Sequence, residues 1–220
     1  MKAIELNVHD ECRLCQIVSS QPDEVELHDA PLLSSDNFLV VPALGQFVSG
    51  YLLIVTRDHV LNTGLLSEHL YDELESLKNE VAATLTQAFK PPIFFEHGPA
   101  SRTLTGGCCI DHAHIHALPA PVDLSACLSK HFPCRPISSF AELQDVAMAR
   151  IPYLYIETGP EERYVFKVGV IPRQYLRQVV CAELGLPQLW DWRRYPFHDR
   201  IRQTVDRITE VYAKSRVPGG

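Results

Sequence analysis

The chain lacks any apolar run long enough to cross a bilayer, and its acidic opening, Met1 to Cys15, has no apolar signal core. Export and membrane insertion are therefore not expected, and a cytoplasmic address follows by default. Internal repeats and low-complexity segments are absent too, which sets aside solenoid architectures. Positive charge is in short supply: 20 Lys and Arg against 27 Asp and Glu leave a net charge of −7. That balance argues against a surface that coats nucleic acid. A pocket sets its own local field, so a phosphate-bearing substrate stays open. A second Cys-x-x-Cys is also missing. Cys12-Arg13-Leu14-Cys15 stands alone, Cys108 and Cys109 are adjacent, and Cys127 and Cys134 are too widely spaced. Seven cysteines in 220 residues without a leader point to metal binding or burial rather than a disulfide framework.

What is present is a mixture of short apolar runs and amphipathic segments, with 46% of residues hydrophobic, enough for a core. Phe38 to Val41 and Tyr51 to Val55, separated by a loop with Pro42, Gly45 and Gly50, read as paired strands. Leu70, Leu74, Leu77, Val81, Leu85 and Ala88 recur at helical spacing, with Ser67 placed to cap the start and Pro91-Pro92 to stop it. Ile93 to Phe95 predicts a third strand, followed by a loop holding Pro99, Gly106 and Gly107 and a strand from about Ile110 to Leu118. Further on, Ser139 and Glu142 have capping-box spacing. Tyr153 to Glu157 and Tyr164 to Ile171 flank Gly159-Pro160 as a hairpin. Pro172 is placed to open a helix that Gly185 stops, and a last helix carries Ile201, Val205, Ile208 and Tyr212 on one face. Strands mixed with a few helices, without regular alternation, predict an α+β fold with a largely antiparallel sheet. It divides into a core over residues 1–122 and an extension over residues 123–220 packed on it.

Asp111-His112-Ala113-His114-Ile115-His116 is the most informative stretch. Side chains in a strand alternate between faces, so the three histidines share one face while Ala113 and Ile115 take the other. Three readings compete. The first is a polar strand face in solvent. The second is a catalytic metal site, which needs a further carboxylate or histidine nearby. The third is nucleophilic catalysis at phosphorus, because a neutral imidazole attacks well near pH 7 and its neighbours can hold its tautomer.

His-x-His-x-His with small or apolar residues between, Ala117-Leu118-Pro119 behind and a Gly-rich turn ahead, resembles the histidine-triad motif. Phe38-Leu39-Val40-Val41-Pro42, then Gly50 to Val55, then Asp58-His59-Val60, resemble that superfamily's usual run in the usual order. The resemblance spans roughly the first 120 residues. It implies a five-stranded antiparallel sheet with packed helices, here followed by a C-terminal α/β extension. It also implies a reaction at the α-phosphorus of a nucleotide, with His114 as nucleophile and His116 donating to the phosphate. Family members are often homodimers. Zinc-bearing branches, which include the galactose-1-phosphate uridylyltransferases, join an N-terminal Cys pair to two histidines. By that resemblance Cys12, Cys15, His59 and His112 are the ligands of a closed, structural zinc site.

The chain departs from the family pattern at two places. Where small members have a glutamine it has Cys108, although the backbone N–H groups of Gly107, Cys108 and Cys109 remain candidate phosphate donors. Where an acid binds ribose, it reads Val41-Pro42-Ala43. His97 and Lys167 are further candidates for substrate contact, whereas Arg173, Arg177, Arg193, Arg194, Trp190 and Trp192 read mostly as surface or packing residues. Chains of this length resemble relatives that are dinucleoside polyphosphate hydrolases or phosphorylases. The expectation is an enzyme: a nucleotide hydrolase or nucleotidyl transferase acting on a nucleotide or dinucleotide through a nucleotidyl-His114 intermediate. Phosphorolytic transfer, a catalytically silent nucleotide-binding module and a metal-dependent hydrolase are the alternatives.

Overall fold

The runs at 38–41 and 51–55 are apolar on both sides, and a strand of that kind must be covered on both faces. In the computed structural model, which describes residues 12–20, 25–101 and 110–215, they form β2 (Phe38–Pro42) and β3 (Leu52–Thr56), buried at every position. They pair antiparallel from Phe38↔Thr56 to Pro42↔Leu52. β1 (Leu33–Ser34) lies outside β2. On the other side β3 pairs with β5 (His114–Leu118), and β5 with β4 (Ile93–Gly98). These five strands all come from the first 122 residues.

The sheet does not end there. The outer edge of β4 would leave a row of backbone groups unpaired. β7 (Tyr153–Gly159) takes that edge from Phe94↔Glu157 to Gly98↔Tyr153, and β8 (Glu162–Lys167) and β6 (Cys134–Pro136) continue it. The order is β1-β2-β3-β5-β4-β7-β8-β6, antiparallel throughout: eight strands where five were expected.

Strand alternation divides the core into two halves. Phe38, Val40, Ile54, Phe94, Ile115 and Tyr155 face α2 (Tyr71–Ala88), whose Leu74, Leu77, Val81 and Leu85 form its buried stripe. Asp72 and Glu73 suit the positive end of that helix, and Pro91 follows its last turn. α4 (Gln144–Met148) and α6 (His198–Ser215) complete this layer through Val146, Ala147 and Ile208. On the opposite face Leu53, Val55, Phe95, Leu154 and Phe166 pack under α1 (Arg13–Ser19), α3 (Leu124–Ser129) and α5 (Tyr175–Glu183). His114 and His116 belong to this second face.

Several expected boundaries move. Ser67 precedes a short 3₁₀ turn and makes no side-chain cap, so α2 begins at Tyr71. Ser139 caps nothing either; Ser138 supplies both N–H and Oγ to Glu142 instead, at 2.6 and 2.8 Å. Pro172 does not open α5, which starts after Gln174 in a left-handed conformation (φ 55°). Residues 192–196 also pack against the loop between β2 and β3. Gly45 (φ 75°) donates to the Pro196 carbonyl at 3.0 Å, and a Cβ there would fall 2.4 Å from that of Trp192. Only glycine fits that approach.

Candidate functional site

The histidine strand is shorter than expected. β5 begins at His114, because Ala113 leaves the ladder to donate to the Val60 carbonyl at 2.6 Å. His112 therefore lies before the strand, and its ring turns toward α1. There the Nδ1 of His112 lies 3.5 Å from Cys12 Sγ and 3.4 Å from Cys15 Sγ, and His59 Nδ1 lies 3.1 Å from Cys15 Sγ. One donor atom from each of Cys12, Cys15, His59 and His112 lies within 4.8 Å of all the others. The His112 Nε2–H donates to the Thr56 carbonyl at 2.8 Å, which leaves the Nδ1 lone pair facing the thiols. Both cysteines and His112 are at most 7% exposed. Two sulfurs and two imidazole nitrogens at this spacing fit a four-coordinate metal, and the set is closed.

His114 makes the opposite choice. Its Nδ1–H donates to the carbonyl of His112 at 2.7 Å, and a carbonyl can only accept, so the lone pair sits on Nε2. Burial lowers its pKa, with the bond to His112 pulling the other way, and the ring is neutral near pH 7. His116 lies beside it, ring centroids 4.9 Å apart, and stacks on Phe95 at 4.6 Å. Its Nδ1 is 2.8 Å from the hydroxyl of Tyr51. Burial, then His114, Arg177 and His97, hold His116 well below the usual histidine range.

Both rings open onto a cleft of about 680 Å³ counted out to its mouth. The sheet supplies Leu53, Phe95, His97, His114 and His116; the loop after β2 adds Ala43 and Leu44, and α1 adds Arg13. The later part of the chain closes the far wall with Gln174, Tyr175, Leu176, Arg177 and Trp192. No carboxylate lines the cleft among the described residues; Asp29 stands behind Arg13 and pairs with its guanidinium. Neutral imidazoles and two guanidiniums on an otherwise apolar wall suit an anionic ligand.

Of the other expected contacts, His97 lines the cleft, on the same sheet face as Phe95 and close to His114. Burial first, and His114 second, push its pKa down to about 4. Its Nε2 is buried with no hydrogen-bond partner among the described residues. Lys167 is a correction. It alternates with Phe166, so it is exposed on the α2 side of the sheet, away from the triad. Gly107, Cys108 and Cys109 lie outside the described residues. Tyr51, Arg13, Gln174 and Arg177 went unnoticed in the sequence or, for Arg177, read as surface, yet Arg177 is 5% exposed. No local signal marks them, because contacts far apart in the chain bring Arg13, Gln174 and Arg177 to the cleft and Tyr51 to His116.

A central antiparallel sheet with His-x-His-x-His entering its middle strand, the last two imidazoles facing one cleft, is a histidine-triad arrangement. A family model described as "Protein similar to CwfJ C-terminal" matches residues 2–132, and the chain belongs to that family. No curated protein matches the chain. Solved structures similar to it include a HIT family protein from Bacillus anthracis, 16% identical over 52% of this chain and 76% of that one, with a TM-score of 0.42. A hypothetical histidine triad nucleotide-binding protein from Sulfolobus tokodaii is 17% identical over 63% and 91%, TM-score 0.41. A Zn-bound histidine triad family protein from Mycobacterium smegmatis is 15% identical over 64% and 94%, TM-score 0.36.

Proposed function

We propose that this chain is a nucleotide hydrolase or nucleotidyl transferase that works through a covalent nucleotidyl-His114. The observation that carries the reading is the pinned tautomer of His114: Nδ1–H held by the His112 carbonyl, Nε2 bare beside the cleft. In the first step Nε2 bonds to the α-phosphorus while the bond from phosphorus to the leaving oxygen breaks and its electron pair departs with that oxygen. The ring is then substituted at Nε2 and protonated at Nδ1, so it carries a positive charge, which the His112 carbonyl stabilises by accepting from Nδ1–H. Water or phosphate next attacks phosphorus, its proton passes to solvent, and the N–P electron pair returns to Nε2. His116 donates to a phosphoryl oxygen as charge builds there. His97 and Arg13 hold the rest of the anion, and the backbone of Gly107, Cys108 and Cys109 belongs to the same proposal.

A dinucleoside polyphosphate with water as acceptor is the first substrate to try; phosphate as acceptor differs only in what the second half-site accommodates. We assign the Cys12, Cys15, His59 and His112 cluster to zinc. Zn–S near 2.3 Å and Zn–N near 2.0 Å in a tetrahedron give S···N edges of about 3.5 Å, close to the 3.1–3.5 Å found here. When bound, zinc supplies a structural clamp between α1 and the backbone next to His114.

The test is intact-protein mass spectrometry after brief mixing with nucleotides, dinucleoside polyphosphates, nucleoside phosphoramidates and nucleotide sugars, wild type beside His114→Ala. A gain of one nucleoside monophosphate on wild type alone is expected. Binding without adduct or turnover by any of them would leave a nucleotide-binding module in place of an enzyme.

A further inference from the structure

Arg177, from the part of the chain after residue 122, reaches the catalytic face with no carboxylate to meet it among the described residues. A buried guanidinium is costly unless its surroundings compensate. Arg177 has its Nε on the Trp190 carbonyl at 2.8 Å and an Nη on the Gly45 carbonyl at 2.6 Å. Its Cζ lies 4.9 Å over the ring of Phe47 and 5.3 Å over the ring of Tyr51. Two carbonyls and two aromatic faces thus hold a positive charge beside a phenol that is itself fully buried.

That phenol is the partner of His116. Burial pushes the Tyr51 hydroxyl up to about 12, with Arg177 pulling against it, so the hydroxyl keeps its proton at neutral pH. A cation on one side of an O–H dipole favours the oxygen toward itself and the hydrogen away. The acceptor within hydrogen-bond reach of that hydroxyl is His116 Nδ1, 2.8 Å off. An imidazole that accepts at Nδ1 carries its single proton on Nε2.

We propose that Arg177 is a positioning residue: by orienting the Tyr51 hydroxyl toward His116 Nδ1, it keeps His116 in the Nε2–H tautomer that donates into the cleft. The consequence for rate rests on the phosphoryl-transfer reading above; the tautomer itself does not. The part of the chain beyond the triad motif then sets the protonation of the triad's last histidine.

The test combines ¹⁵N-histidine NMR with kinetics on Tyr51→Phe, which removes one oxygen and keeps the ring, and on Arg177→Met. Wild-type His116 should show the Nε2–H tautomer, and each variant should populate Nδ1–H. Where turnover exists, kcat should fall roughly tenfold or more in both variants, with KM within about twofold in Tyr51→Phe, which keeps the cleft's charge. The double variant should be no worse than the worse single one, because both act through one bond. An unchanged His116 tautomer in Tyr51→Phe, or effects that multiply, would overturn the proposal. Tyr51→Phe stands as the decisive variant if Arg177→Met fails to fold. The NMR arm needs no substrate, so a failed search for nucleotide turnover does not decide it.

Discussion

His112 and His114 are two residues apart in one short stretch, and the structure gives them opposite tautomers. His112 gives its Nε2 proton to the Thr56 carbonyl and turns Nδ1 into a closed set of four donors. His114 gives its Nδ1 proton to the His112 carbonyl and leaves Nε2 open beside the cleft. The residue type is the same, although His112 is buried and His114 half-buried; the carbonyl within reach decides which nitrogen is available. One end of the motif is thereby suited to holding structure and the other to attacking. The same contrast recurs on β4, where the Glu96 carboxylate accepts from Thr63 N–H, Thr63 Oγ1 and Tyr153 Oη, while its neighbour His97 has an Nε2 with no partner among the described residues.

The sharpest way to break the comparison is to remove each histidine in turn. His114→Ala should cost at least ~10⁴-fold in turnover while leaving metal content and melting temperature as in wild type. A loss of bound metal in that variant, measured by elemental analysis, would merge the two ends into one site. Next in size is the metal itself. Wild type should carry one zinc per chain, and Cys15→Ser should lose it. The cost is several kcal/mol, or roughly 10 °C in Tm for a chain of this size. A metal-free protein with unchanged Tm after dialysis against a chelator would show that the four residues clamp nothing.

Part of this contrast was legible from sequence because strand alternation is local. Spacing by two put His114 and His116 on one face, and the apolar runs at 38–41 and 51–55 announced strands covered on both sides. The metal set was legible only through resemblance, since nothing near Cys12 says that His59 and His112 meet it. Lys167 shows the limit: strand alternation sets it opposite Phe166, but which side of the sheet carries the cleft depends on β4 pairing with β7, about sixty residues apart. Helix starts failed for a related reason. Ser67 and Pro172 have the right chemistry for a helix opening, yet three residues in a 3₁₀ turn follow Ser67, and two, the second left-handed, follow Pro172 before each helix begins.

The closed member of the β4 pair makes a prediction about pH. Burial raises Glu96 to about 7 against an ordinary 4.5, even though three donors from Thr63 and Tyr153 favour the charged form. A raised carboxyl stabilises the fold most below its unfolded pKa, and that contribution is lost as pH climbs from about 4.5 through 7. Full ionisation therefore costs at most about 3 kcal/mol. Glu96→Gln keeps a group of the same shape that cannot ionise. Its Tm should be flatter than wild type between pH 5 and 8, and parallel curves would show that Glu96 is ionised throughout.

The open member makes the smallest prediction and the one with two opposed signs. A buried nitrogen without a partner costs about 1–3 kcal/mol relative to an apolar group of similar shape. His97→Leu should therefore raise Tm by a few degrees. If the imidazole is held unpaired because a bound phosphate completes it, the same variant should lose roughly tenfold in kcat/KM, mostly as a higher KM. A gain in stability with no kinetic loss would make His97 an unfilled packing defect. A loss of both would place it in the structure, alongside Glu96, and remove it from the cleft's machinery. Only stability gained and substrate binding lost together match a residue kept for its ligand at the expense of the fold.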